Sequence, residues 1–144
     1  MANGLGFIDP SAGGAKETIL LAPRPTDLSG KVVGLLDNTK EQADIILQTV
    51  GEALCERYGV ETLIIRRKEH YSKPAATEII DEMAGKVDVA IAGLGGCGSC
   101  TLCSVRDTIE FEKRGIPSTT IITSAFKKAA DFQFRGNGME GHPY

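Results

Sequence analysis

No stretch of this chain stays apolar for the ~20 residues that a membrane-spanning helix needs, so a helical span is excluded. The N-terminus does not run from a basic segment into an apolar one, so no signal peptide is expected and the chain is placed in the cytoplasm. Basic residues are not in excess: 16 Lys and Arg stand against 19 Asp and Glu, for a formal net charge of -3 and a pI of about 5.4. No basic face is implied, and neither nucleic acid nor a membrane is an expected partner. Internal repeats at a period of about 20–50 residues are absent, which argues against a solenoid, and there is no low-complexity tract. Histidine is scarce, with only His70 and His142 to serve as imidazole bases or ligands.

What is present suits one domain. The 144 residues can bury a core without staples, and 42% hydrophobic with 24% charged residues is ordinary globular usage. Three of the four cysteines crowd into Gly93-Leu94-Gly95-Gly96-Cys97-Gly98-Ser99-Cys100-Thr101-Leu102-Cys103. In a reducing compartment such crowding reads as catalysis or metal binding rather than as a disulfide scaffold.

Periodicity gives the frame. Residues 1–28 form an N-terminal arm or loop, with a turn-rich stretch at 9–14 and an extended piece, ThrIleLeuLeuAlaPro, at 18–23 that is expected as a short strand or an arm on a partner subunit. Residues 29–144 form a single α/β domain. Short apolar runs at 31–38, 60–65, 87–94 and 118–123 read as strands. Apolar positions Ala43, Ile46, Leu47, Val50, Ala53 and Leu54 recur at helical spacing over 40–58, ahead of Gly59 as a stop. Further helices are expected at 74–86, where Pro74 sits in the first turn, from the cysteine loop to about Arg114, and at 126–134. Alternation of this kind predicts an open, mainly parallel sheet of four to five strands with helices on both faces, flavodoxin- or Rossmann-like, a fifth strand beginning near His142.

In an open parallel sheet, ligands bind at the carboxyl ends of the strands. That rule gathers Asp37-Asn38-Thr39-Lys40, the 68–73 segment, the cysteine loop and Thr123-Ser124 at one edge. The glycines at 93, 95 and 98 satisfy a G-x-G-x-x-G spacing, but thiols fill the loop and no acidic residue ends the second strand to take a ribose, so dinucleotide binding is disfavoured. Cys97 falls at the turn and Cys100 near the first helical turn, where free N–H groups and positive potential lower a thiol pKa. The C-x-x-C spacing lets both sulfurs meet as a disulfide. Ser99 and Thr101 add hydroxyls for substrate or for capping. Cys103 extends the pattern to C-x-x-C-x-x-C, the spacing of iron–sulfur loops, so Cys97, Cys100 and Cys103 stand as alternative ligands for an iron–sulfur cluster or zinc; with a thiol chemistry no cofactor is required. Cys103 otherwise faces the sheet, and Cys55 reads as a small buried residue on the first helix.

Asn38, Lys40 and Ser124 are expected to position a substrate, Lys40 by its charge, with a solvated helix start as the equal alternative for Lys40, and His142 is a further candidate. His70 reads as an exposed loop histidine, with a general base as the sharper alternative. Arg66-Arg67-Lys68 reads as a solvated strand end. Glu110 and Glu112 read as surface residues, while Asp107, two turns from Cys100, is placed to orient a partner.

Cys97-Gly98-Ser99-Cys100-Thr101 resembles the signature of the UGSC family of (seleno)proteins, in some members of which the first position is selenocysteine. The likeness extends through Leu36-Asp37-Asn38-Thr39-Lys40, Ser104-Val105-Arg106-Asp107, Glu112-Lys113-Arg114-Gly115-Ile116-Pro117 and His142-Pro143, covering roughly residues 31–143. Where members have Lys-Pro, this chain has Lys40-Glu41, and members usually continue beyond the His-Pro, leaving room for a final strand from a second subunit. The resemblance implies a reactive first position, Cys97, with Cys100 as its resolving partner, and a class-level relation to thiol- and selenol-dependent reductases. The expected function is therefore a cysteine-dependent enzyme acting on a small molecule, a thiol-based reductase in first place. Its rivals are a hydrolase, lyase or hydratase working through a covalent Cys97 intermediate, a metal-binding module, and one subunit of a composite enzyme. A homo-oligomer or a complex with a second subunit is expected.

Overall fold

A computed structural model describes residues 17–144; the turn-rich stretch at 9–14 lies outside them. The elements run β1 (Val32–Asp37), α1 (Ala43–Tyr58), β2 (Thr62–Arg67), α2 (Thr77–Ala84), β3 (Val89–Gly95), α3 (Gly98–Lys113), β4 (Ser118–Ile122) and α4 (Lys127–Gly136), with a short 3-10 turn at Ser124–Phe126 before the last helix. The four strands form one sheet in the order β2-β1-β3-β4, every neighbouring pair parallel. Among the described residues no fifth strand forms, because the tail around His142 turns back onto α3 and α4 instead.

Two apolar layers account for the sandwich. On one face Val33 and Leu35 of β1 and Ile91 of β3 pack against Leu47 of α1. On the other, Leu36 of β1 with Ala90 and Ala92 of β3 packs against Ile80 and Met83 of α2 and Phe111 of α3. Successive residues of β1 and β3 thus face opposite layers, as the period of a strand requires, and both layers are covered, which is why these strands read as unbroken apolar runs. Gly51 lets α1 approach: a Cβ there would stand 2.9 Å from both Leu35 Cδ1 and Leu63 Cδ1. Helix α4 does not cover the sheet directly. Ala130 and Phe134 pack on Val105 and Ile109 of α3, with Met139 closing the cluster.

Helix α2 starts three residues later than the Pro74 signal suggests. Ala76 is extended, at φ -59 and ψ 143, and the Ala75 N–H donates to Asp107 Oδ1 at 2.8 Å. Residues 18–23 form no strand. They run extended across their own chain, where the Ile19 N–H donates to the Gly138 carbonyl at 2.9 Å and the Ala22 N–H to Glu112 Oε2 at 2.7 Å.

Candidate functional site

The carboxyl ends of the four parallel strands lie at one edge of the sheet, the edge that carries the cysteine loop. Asn38, just past β1, is the clamp that ties β1 to the end of β3 and to α3. Its N–H donates to the Gly93 carbonyl at 2.9 Å, its Nδ2 donates to the Leu94 carbonyl at 2.8 Å and to Ser104 Oγ at 3.4 Å, and its Oδ1 accepts from the Lys40 N–H at 3.1 Å. Both amide hydrogens are engaged and the residue is buried, so Asn38 shapes the loop rather than facing a ligand. Thr39 follows at φ 64, a left-handed conformation unusual for a β-branched residue, held by donation of its N–H to Asp37 Oδ1 at 2.7 Å. From β4, the Thr123 N–H donates to the Gly95 carbonyl at 3.0 Å. Gly95 itself is tightly enclosed: a Cβ there would run into the Ile122 side chain and Thr101. Ser124 lies exposed at the same edge.

Cys97 is the N-cap of α3. Its backbone is extended, at φ -154 and ψ 175, and its Sγ accepts from the Cys100 N–H at 3.3 Å. A sulfur so placed receives one of the N–H groups that a helix start leaves unpaired. Ser99 Oγ lies 3.5 Å from the same Sγ. Cys97 and Cys100 are joined as a disulfide, with Cα atoms 5.2 Å apart. The pair is asymmetric in access: Cys97 is partly exposed, whereas Cys100 is wholly buried. Thr101 is buried too, and both its N–H (2.9 Å) and its Oγ1 (2.7 Å) donate to the Cys97 carbonyl. Its hydroxyl therefore fixes the cap, while Ser99 is the hydroxyl left at the surface.

Behind the disulfide runs a buried stripe of α3: Cys100, Cys103, Ser104 and Asp107. Cys103 and Cys55 are free thiols; Cys55 is partly buried and packs against the α1 layer. Burial pushes the Cys103 thiol up, with the Lys68 ammonium opposing. Lys68 is the sharpest departure from the sequence reading. Arg66 and Arg67 are exposed, as expected of a strand end, but Lys68 is buried and donates to Asp107 Oδ2 at 2.6 Å. Burial raises the Asp107 carboxyl above its ordinary range, and Lys68 offsets only part of that rise. Strand alternation carried the missed signal: Ile64, Arg66 and Lys68 share a face, and Ile64 packs into the layer under α2 and α3. His70 is exposed, as read, and its Nδ1 lies 2.7 Å from Ser72 Oγ. Lys40 spans the edge, its Nζ 5.2 Å from the centroid of the Tyr71 ring.

His142 is not at this edge. It lies beside the C-terminal end of α3, about 22 Å of helix from Cys97 at 1.5 Å per residue. There Nε2 lies 3.0 Å from Glu112 Oε1 and the ring stacks on Phe134 at 4.4 Å. Glu112, read as a surface residue, is buried. It also accepts from Arg24, at 2.5 Å on Oε1 and 2.8 Å on Oε2, from the Ala22 N–H, and from the Ser118 N–H at 3.0 Å. Burial by itself drives this carboxyl up, but the bonds from His142, Arg24, Ser118 and Ala22 outweigh it and hold the pKa at about 2. Its place four residues beyond buried Thr108 on α3 was the available signal.

Among the described residues, no cluster of three or more His, Cys, Asp or Glu side chains is arranged to hold a metal ion, and no helix is long and apolar enough to cross a membrane. A family model described as the UGSC family matches residues 6–144, and the chain belongs to that family. No curated protein matches it.

Proposed function

Taking that membership as premise, we propose that the chain is a dithiol enzyme that reduces a small molecule, with Cys97 as the attacking thiol and Cys100 as the resolving one. The observation that carries this reading is the bonded pair at the start of α3, with one sulfur accessible and the other buried. In the reduced enzyme the Cys100 N–H and the helix dipole favour a thiolate at Cys97. That thiolate attacks one sulfur of a substrate disulfide; the S–S bond breaks and the departing sulfur takes up a proton. Cys97 is then joined to the other half of the substrate. Cys100 loses its proton and attacks Cys97 Sγ, the mixed disulfide breaks, and the second half leaves as a thiol. Two electrons and two protons have passed from the enzyme pair to the substrate, and a dithiol reductant returns the Cys97–Cys100 disulfide to thiols for the next turnover. The Cα separation of 5.2 Å is within the range a disulfide accepts, about 4.4–6.8 Å. Ser99 stands beside the attacking sulfur, and Asn38 and Thr101 hold the loop in register.

Cys100→Ser tests the reading. The variant should stop after one half-reaction and accumulate a covalent adduct on Cys97, seen by intact-mass measurement and peptide mapping, while multiple turnover falls by at least about a hundredfold. A Cys100→Ser protein that keeps turning over would point instead to non-redox covalent chemistry at Cys97.

A further inference from the structure

Six residues, 69–74, cross the sheet edge between β2 and the start of α2, and one carboxylate holds both ends of the crossing. Asp107 accepts from Lys68 Nζ on Oδ2, at 2.6 Å, and from the Ala75 N–H on Oδ1, at 2.8 Å. Inside the loop the Ser72 N–H donates to His70 Nδ1 at 3.1 Å, and the His70 ring stacks on Tyr71 with centroids 4.3 Å apart. The face of Tyr71 in turn carries the Lys40 ammonium at 5.2 Å. Lys40 also passes close to the thiol loop: its Cε would lie 3.8 Å from a Cβ placed on Gly96, the neighbour of Cys97.

The buried carboxylates at this edge are committed to other partners. Asp37 is occupied by the Thr39 N–H and by Arg67 Nε at 3.3 Å, and Asp107 by Lys68 and Ala75. Glu41 and Glu69 are exposed. Lys40 makes its charged contact with an aromatic face, which supports a cation without neutralising it.

We propose that Lys40, backed by Tyr71, is the anion-recognition group of the dithiol site, and that the site selects small disulfides bearing carboxylates. The inference rests on the dithiol reading. A carboxylate paired with Lys40 would bring a neighbouring S–S bond toward Cys97. Cleavage then yields two carboxylate-bearing thiols as Cys97 and Cys100 become oxidised to their disulfide.

The test follows oxidation of the reduced protein by three disulfides that differ in charge: dithiodipropionate, hydroxyethyl disulfide and cystamine. Each rate is divided by that of the same disulfide with mercaptoethanol, which removes differences in leaving-group thiol. The corrected rate for the dianion should exceed that for the dication roughly tenfold or more at low salt, and the gap should close as salt is added. Lys40→Met should abolish the preference, Lys40→Glu reverse it, and Lys40→Arg restore it. Oxidation by the neutral disulfide with equal corrected rates for the two ions would overturn this inference alone, as would a preference that survives Lys40→Glu. A protein whose Cys97 and Cys100 remain thiols with all three reagents would overturn the dithiol reading and this inference with it.

Discussion

Cys97 and Cys100 stand three positions apart and meet different solvents. Cys97 caps α3 from an extended, partly exposed position, while Cys100 is the first buried residue of the helix. The proposed division of labour between attacker and resolver rests on that difference in access. Below them, Lys68 and Asp107 form a buried ion pair, with side chains 2% and 3% exposed. Two charges taken out of water are held by each other, with the Ala75 N–H and the nearby Arg106 charge adding to Asp107, so each makes the other tolerable. Removing one partner alone, by Lys68→Met or Asp107→Leu, should cost roughly 3–5 kcal/mol in urea unfolding. The double replacement should cost clearly less than the sum of the two, since no unpaired charge is left behind. Single variants that each lose under about 0.5 kcal/mol would show the pair to be solvated in the native protein.

Helix α3 organises the molecule more than any other element. Its first turn carries the dithiol, its middle carries Asp107 and so the 69–74 loop, and its last turns carry Phe111 into one apolar layer and Glu112 into the polar node. The strands and helices were legible in the sequence because both faces of a parallel sheet are covered. Runs such as Val89-Ala90-Ile91-Ala92 have no polar face to obscure them. Element ends were less legible. The strand read at 60–65 runs from Thr62 to Arg67, because β1 pairs with β2 as far as Asp37 opposite Arg67, and charged residues at an edge strand give no apolar signal. The late start of α2 has the same kind of cause, since Asp107 sets it from 32 residues away. The cysteine loop, by contrast, could be read locally: glycine, thiol and hydroxyl residues between a strand and a helix specify a tight turn and a cap within a few positions.

Across the whole molecule, the polar node at Glu112 ties pieces of chain that no local pattern links. The arm at Ala22 and Arg24, the start of β4 at Ser118 and the tail at His142 all bond to one carboxylate. Such a node was not legible in sequence, since an acidic residue near a helix end is ordinarily solvated and its partners here lie 90, 88, 6 and 30 residues away. The same holds for His142, a substrate-binding candidate by sequence at the start of an expected fifth strand, which packs instead on Phe134. Because the Glu112 pKa is held at about 2 when folded and lies near 4.3 in an unfolded chain, its ionised form stabilises the fold above the unfolded value. That contribution, about 3 kcal/mol, should be lost as pH falls from about 5 toward 2. Glu112→Gln should accordingly be less stable than the parent at neutral pH, with the gap narrowing over that window in urea unfolding at stepped pH. A gap of constant size from neutral pH to the acid end would contradict this account of the node.

The dithiol reading itself is tested most directly by limiting alkylation. Reduced protein, prepared without oxygen and assayed for bound metal, would be treated with iodoacetamide from pH 5 to 9, and each cysteine followed by mass spectrometry. Modification of Cys97 ahead of Cys55, Cys100 and Cys103, with an apparent pKa well below the ~8.5 of a free thiol, is the predicted result. Joint protection of Cys97, Cys100 and Cys103 until a chelator removes bound metal would contradict it and make the loop a metal site.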